Sequence, residues 1–176
     1  QATAQQPDAP PGVRVFTTAH SFHAFVPLML DEIAREAGIR GHRQVGLQAL
    51  GGSTVIRHWN RPDSVNTAKP ALQSGQVDVF TMSPVVAVPD DGITRFAELG
   101  LENNPDLRLV VQASWIPGEQ SLPVLEPERD RWLEDNATRD RTAVADLWPA
   151  IDSFRGRLEA QVDALDRKST RLNSSH

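Results

Sequence analysis

The stretch VRVFTTAHSFHAF, residues 13–25, decides the fold. It begins with a β-branched and aromatic run, passes through small and polar residues, and enters an apolar pattern of helical period. This order predicts a strand, a tight turn and a helix, with Ser21 in the turn. Backbone N–H groups and the helix dipole favour negative charge at such a position, so Ser21 is a candidate nucleophile. The simpler interpretation is that Ser21 caps the helix.

The alternation of strand and helix continues along the chain. The first helix, whose apolar residues run from Phe25 to Ala37, is predicted to end at Gly38, because glycine accepts the left-handed conformation. Alternation of this kind predicts a flavodoxin-like three-layer α/β/α fold with a mainly parallel sheet. Its first strand should lie between the second and third, with the fourth outside the third. Further strands are predicted over 44–50, 76–82 and 107–115, and further helices over 68–72, 92–101 and from Thr142.

The last predicted helix carries the longest apolar stripe. Pro149 inside it should kink the helix or mark its first turn. The charged stretch before it, residues 123–141, has no regular period and is interpreted as an insertion or loop. The stripe consists of Val144, Leu147, Trp148, Ile151, Phe154, Leu158, Val162 and Leu165.

Length and composition limit the classes of function. A chain of 176 residues can bury the core of one globular domain, which we place at 13–167. The net charge of −5 argues against a nucleic-acid surface, and the absence of cysteine excludes disulfides and thiolate metal sites. We expect no cofactor, no metal site and no membrane span. Residues 1–12 are interpreted as a flexible leader, and the Ala-Thr-Ala at 2–4 fits signal cleavage and export.

Small or polar residues follow each of the first three predicted strands. Ser21, Gly52 and Ser83 occupy these positions, and the active crevice of a parallel sheet lies at the carboxyl ends of its strands. An acyl transfer needs a nucleophile and donors aimed at the forming oxyanion. We therefore expect Ser21 and the N–H groups of Ser21 and Gly52 to converge on one crevice.

Residues 13–115 resemble the SGNH (GDSL-like) hydrolases, a flavodoxin-like family of esterases, lipases and carbohydrate deacetylases. The turn at 19–22, Ala-His-Ser-Phe, is similar to the family's nucleophile block, and Gly51-Gly52-Ser53 is similar to its oxyanion-glycine block. The family's third block has an Asn, whereas residues 81–84 read Thr-Met-Ser-Pro, which leaves Ser83 or Thr81 as side-chain donor. The resemblance implies a serine hydrolase acting on an ester or an acetylated carbohydrate, with Ser21 as nucleophile.

The general base has no clear match. The family carries it in an Asp-x-x-His motif after a fifth strand, and neither follows the last helix here. His20 and His23 flank the nucleophile turn, although a lone loop histidine is more often solvated or hydrogen-bonded. Trp59 can line the crevice or belong to the core. The candidate pocket residues are His20, His23, Ser53, His58 and Trp59.

The tail at 168–176 resembles translated sequencing-adapter read-through at the ends of metagenomic reading frames, although a short natural polar tail would look similar. The resemblance implies a truncated chain whose own sequence ends near Arg167. We then expect a sheet incomplete at its carboxyl-terminal edge, little hydrolysis by this fragment, and self-association through the open fourth strand.

A different class of function remains open. His20, in place of the family's acidic or Asn residue, and the missing Asn of the third block favour a non-catalytic binding or scaffold protein of the same fold. A nucleotide or phosphate binder is disfavoured, because no glycine-rich phosphate motif is present.

Overall fold

The computed structural model of the chain describes residues 9–85, 88–113 and 148–173. The predictions for 123–141, and most of the predicted leader, lie outside these ranges. The strands are β1 Arg14–Ala19, β2 Arg43–Ala49, β3 Val79–Met82 and β4 Arg108–Val111. The helices are α1 Val26–Glu36, α2 Val55–Trp59, α3 Ala68–Gln73, α4 Asp91–Asn103 and α5 Trp148–Asn173.

The four strands form one sheet in the order β2-β1-β3-β4, and every neighbouring pair is parallel. This confirms the predicted strand order and the three-layer α/β fold. Neighbouring residues of a strand point to opposite faces. The register of β1 with β3 pairs Phe16 with Phe80 and Thr17 with Thr81, so the phenylalanine pair and the threonine pair lie on different faces of the sheet.

The main core lies on the face that carries Phe16 and Phe80. Their rings stack with centroids 5.9 Å apart, and Phe96 of α4 lies 5.3 Å from Phe80. Trp59 of α2 packs edge-on against Phe96 at 5.0 Å, so the structure assigns Trp59 to the core. Residues of α3 and α5 complete this cluster.

Helix α1 begins at Val26 and ends at Glu36, and Gly38 follows it with φ +70°. The predicted helix and its glycine stop are therefore confirmed. The N-cap residue is Phe25, which makes no side-chain capping hydrogen bond. Ser21 lies one turn earlier, so the interpretation of Ser21 as the helix cap is wrong.

Helix α2 is too short for its apolar pattern to predict it, and Asp90 explains why it forms. The Asp90 carboxylate accepts hydrogen bonds from the N–H groups of Val55 and Ile56 at 2.7 and 2.8 Å. It also accepts from Gly92 N–H at 2.8 Å, so one side chain caps both α2 and α4. A Cβ on Gly92 would lie 2.3 Å from the backbone of Val55 and Ile56, so this close approach of the two helices requires glycine.

Helix α5 continues the core beyond α4. The structure describes this helix from Trp148 onward, and Pro149 is the second of its described residues. Phe154, Leu158 and Leu165 of the predicted stripe are buried in the main core. The helix extends to Asn173, past the point near Arg167 where we expected the domain to end.

Strand β4 is an edge of the sheet within the described residues, and its Val110 side chain is 47% exposed. An open cavity of about 480 Å³ lies beside it, lined mainly by apolar residues of β4, α4 and α5. Among residues 9–85, 88–113 and 148–173, no further strand pairs with β4. In the described ranges, no helix combines the length and the apolar character that crossing a membrane requires.

Candidate functional site

The first two strands bring Ser21 and Gly52 to the same edge of the sheet. Ala19 pairs with Ala49 in register, and Leu50 N–H donates to the Ala19 carbonyl at 2.9 Å. The turns that carry Ser21 and Gly52 therefore start side by side. Both residues are exposed, and Gly52 has φ +58°.

Ser21 lies in a turn that His20 closes. The His20 carbonyl accepts hydrogen bonds from the N–H groups of His23 and Ala24 at 3.1 and 3.0 Å. The Nδ1 atom of His20 accepts the N–H of Phe22 at 3.2 Å. These bonds tie the three residues after Ser21 to the buried His20, while Ser21 itself is exposed.

His20 holds this turn and is not poised as a base. Burial, together with the nearby His23, lowers the pKa of His20, and the Pro84 carbonyl opposes this shift. The ring is therefore neutral at pH 7. Because Nδ1 accepts the Phe22 N–H, the ring proton lies on Nε2. Within the described ranges, the buried Nε2 has no partner that meets hydrogen-bond geometry. Taking a proton from Ser21 would cost the bond to Phe22.

His23 belongs to a buried polar cluster on the threonine face of the sheet. Its Nδ1 and the Gln112 Oε1 lie 2.5 Å apart, and its Nε2 lies 3.2 Å from Thr81 Oγ1. Thr81 in turn donates to Thr17 Oγ1 at 2.9 Å. The Ser83 hydroxyl donates to Gln112 Oε1 at 3.0 Å. Both nitrogens of His23 and the hydroxyl of Ser83 therefore bond inside the protein.

Ser53 and His58 form a second buried cluster beneath the turn that follows β2. Ser53 Oγ lies 2.7 Å from His58 Nε2 and donates to the Leu50 carbonyl at 2.7 Å. Gln48 Nε2 lies 3.3 Å from His58 Nδ1 and donates to the His58 carbonyl at 3.2 Å. Asn66 Nδ2 donates to the same carbonyl at 3.1 Å.

The bonds of Gln48 fix the tautomer of His58. Gln48 Oε1 accepts the N–H of Thr67 at 2.8 Å, so its Nε2 amide faces His58 as a donor. His58 Nδ1 is then an acceptor, and the proton of the neutral ring lies on Nε2. That proton is donated to Ser53 Oγ. A serine that accepts from a histidine is not activated by it, so Ser53 and His58 are not a nucleophile and its base.

The electrostatics of His58 agree with this role. Its burial lowers the pKa to about 4, and the charges of Arg61 and Arg57 act in the same direction. The Ala19 carbonyl opposes the shift without cancelling it. His58 is therefore neutral throughout the physiological pH range, as its hydrogen bonds require.

Sequence reasoning missed the residues that organise these clusters, which are Gln48, Asn66, Asp90 and Gln112. A polar residue inside or directly after a predicted strand is the signal for Gln48 and Gln112. Asp90 follows a proline and precedes a helix, which is the signal for a cap. Asn66 lies in a polar loop and carries no comparable signal.

No cluster of three or more metal-ligating side chains occurs in the parts of the chain that the structure describes. Comparison with models of protein families, with curated proteins and with solved structures found no match for this chain.

Proposed function

We propose that the protein is a serine hydrolase of the SGNH type that acts on an ester or an acetylated carbohydrate, with Ser21 as its nucleophile. The observation that carries the proposal is the contrast among the serines of this sheet edge. Ser21 is exposed in a turn beside the Gly51-Gly52 turn, whereas Ser53 and Ser83 are buried and hydrogen-bonded inside the protein. A nucleophile must be reachable by its substrate.

In the proposed reaction, Ser21 Oγ attacks the carbonyl carbon of the ester while a base accepts its proton. The N–H groups of Ser21 and Gly52 stabilise the oxyanion. The bond to the alcohol then breaks, the alcohol leaves with a proton, and an acyl group remains on Ser21. Water hydrolyses this acyl-serine to the acid and restores the hydroxyl.

The base is the limiting group in this proposal. His20, His23 and His58 already use the nitrogens that would have to accept the proton. We therefore propose that the chain alone hydrolyses esters slowly, and that a base supplied from outside the described residues raises the rate. Losing the base of a serine triad costs several orders of magnitude in rate.

The test is hydrolysis of p-nitrophenyl acetate with and without added imidazole, which supplies a diffusing base. With imidazole present, we expect the parent to hydrolyse the ester about tenfold faster than Ser21→Ala does. This factor is smaller than the one that a positioned base provides. Ser64→Ala, which removes an exposed serine of another loop, is the control and should behave like the parent. Equal rates for the parent and Ser21→Ala would refute the proposal.

One observation favours a second candidate, a non-catalytic binding protein of the same fold. Gln112, which follows β4, contacts both His23 and Ser83. The side chains of His23 and Ser83 therefore connect the segments that follow β1, β3 and β4, and are not left open for catalysis. If the folded parent shows no Ser21-dependent hydrolysis, either with or without imidazole, the binding protein becomes the preferred candidate.

A further inference from the structure

We propose that Ser53 and His58 are positioning residues that hold the Gly51-Gly52 turn in the shape its oxyanion donor needs. The inference rests on the proposed function, because the Gly52 N–H is a donor only if acyl transfer takes place here. It assigns a role to two buried residues that act on the reaction through the turn and do not touch the substrate.

Within the described part of the chain, no side chain or backbone packs against the Cβ positions of the Gly51-Gly52 turn. A Cβ placed on either glycine would meet no atom within 4 Å. Gly52 has φ +58°, and glycine backbone adopts many other φ values as readily. Arg57 Nη1 donates a hydrogen bond to the Gly52 carbonyl at 3.3 Å. This bond is long and exposed to solvent, so it holds the turn weakly. The turn therefore depends on the hydrogen bonds beneath it.

Those hydrogen bonds converge on the Ser53 hydroxyl. Ser53 donates to the Leu50 carbonyl at 2.7 Å, which closes the four residues of the turn into a ring. His58 Nε2 donates to Ser53 Oγ at 2.7 Å, which fixes the direction of that hydroxyl. Both side chains are buried, and so is the bond between them, where water does not compete; the bond from Ser53 to the Leu50 carbonyl is half-buried.

His58 can fix the turn because it is itself fixed from two sides. Gln48 of β2 holds its Nδ1, and Gln48 is oriented by the N–H groups of Thr67 and Ala68 at the start of α3. Asn66 holds the His58 carbonyl. The turn is thereby connected through neutral, fully paired groups to β2 and to the loop before α3.

Precise placement matters at this point, because an oxyanion donor must lie about 3 Å from the reacting oxygen. Removing one such donor lowers kcat by about 100-fold to 1,000-fold. A donor that is present but loosely held should cost less, about tenfold in kcat, with KM unchanged because ground-state binding does not use it.

Two variants of His58 separate positioning from simple loss of structure. His58→Leu fills a similar volume but removes the donor to Ser53, whereas His58→Gln keeps an amide donor near the former Nε2. Asn104→Ala is the control, since it removes a half-buried hydrogen bond to the Val77 carbonyl that precedes β3, at the opposite edge of the sheet.

The readout that does not depend on hydrolysis is the backbone order of Gly51 and Gly52 from ¹⁵N relaxation. We expect order parameters near 0.85 in the parent and in Asn104→Ala, below about 0.6 in His58→Leu, and recovery in His58→Gln. Unchanged order in His58→Leu would overturn the inference.

The second readout is imidazole-supported hydrolysis of p-nitrophenyl acetate by the same four proteins. A tenfold loss of kcat at constant KM in His58→Leu, restored in His58→Gln, supports the inference, and a parallel loss in Asn104→Ala overturns it. If all four proteins lack Ser21-dependent activity, the proposed function fails, and the order parameters alone decide whether His58 positions the turn.

Discussion

Acid is expected to destabilise the protein through His58, whose buried ring is neutral in the folded state. Burial lowers its pKa to about 4, whereas histidine in an unfolded chain titrates near 6.5. Between these pH values the unfolded chain binds a proton that the folded protein does not, so the equilibrium shifts toward unfolding. The stability that neutral His58 contributes is therefore complete above pH 6.5 and is lost as the pH falls toward 4.

The size of this loss follows from the two pKa values. Each pH unit between them is worth about 1.4 kcal/mol, so the full interval costs about 3 kcal/mol. Screening reduces this little, because His58 is 1% exposed. A domain with a typical stability of about 5–15 kcal/mol would lose a substantial part of it. Asp78, whose pKa Arg14 holds at about 2, loses its contribution only below this interval.

The assay is urea unfolding of the parent and of His58→Gln at several pH values from 7.5 to 4. His20 and Asp90 titrate in both proteins, so the difference between the two unfolding free energies isolates His58. We expect the advantage of the parent to shrink by about 3 kcal/mol between pH 6.5 and 4. Parallel stability curves for the two proteins would refute the proposed buried, neutral His58.

Three further predictions concern stability and assembly. Asp90→Ala, which removes the cap of two helices, should cost about 2–4 kcal/mol in urea unfolding, against about 0.5 kcal/mol for the exposed Asp91→Ala. Gly92→Ala should cost about 3 kcal/mol or more in the same assay, because its Cβ would overlap the α2 backbone. Val110→Lys should reduce self-association in sedimentation velocity, since a charge on an open edge strand opposes pairing, and an unchanged sedimentation coefficient would contradict an edge-mediated contact.

The strand order and the first helix could be predicted because both follow from local signals. Alternating strands and helices with right-handed crossovers leave few arrangements of a parallel sheet. Gly38 marks the end of α1 by its backbone conformation alone, independently of tertiary contacts. These features need no knowledge of which side chains meet.

Strand β2 shows where the sequence pattern misleads. Its apolar residues Val45 and Leu47 are more than 40% exposed, whereas the polar Gln48 is buried. The inward position two residues earlier is Gly46, because the Phe16 ring would lie 2.3 Å from a Cβ there. Gln48 is stable inside because its amide is fully paired, and such pairing involves residues distant in sequence.

The places of Ser21, Gly52 and Ser83 along the chain could be predicted from the sequence, but their hydrogen bonds could not. The sequence places Ser21, Gly52 and Ser83 after successive strands, and the structure confirms that each follows its strand. It could not reveal that Ser83 donates to Gln112 or that His58 donates to Ser53, since these bonds depend on side-chain directions and tautomers.

The central claim is that Ser21 is the nucleophile, and mapping the acyl group tests it most directly. The chain is incubated with p-nitrophenyl acetate and imidazole, quenched in acid, digested and sequenced by tandem mass spectrometry. We expect an acetyl group on Ser21 that is absent from protein not exposed to p-nitrophenyl acetate, and we expect Ser53 and Ser83 to be unmodified. Acetylation of Ser53 or Ser83, or of lysines alone with Ser21 untouched, would contradict the account.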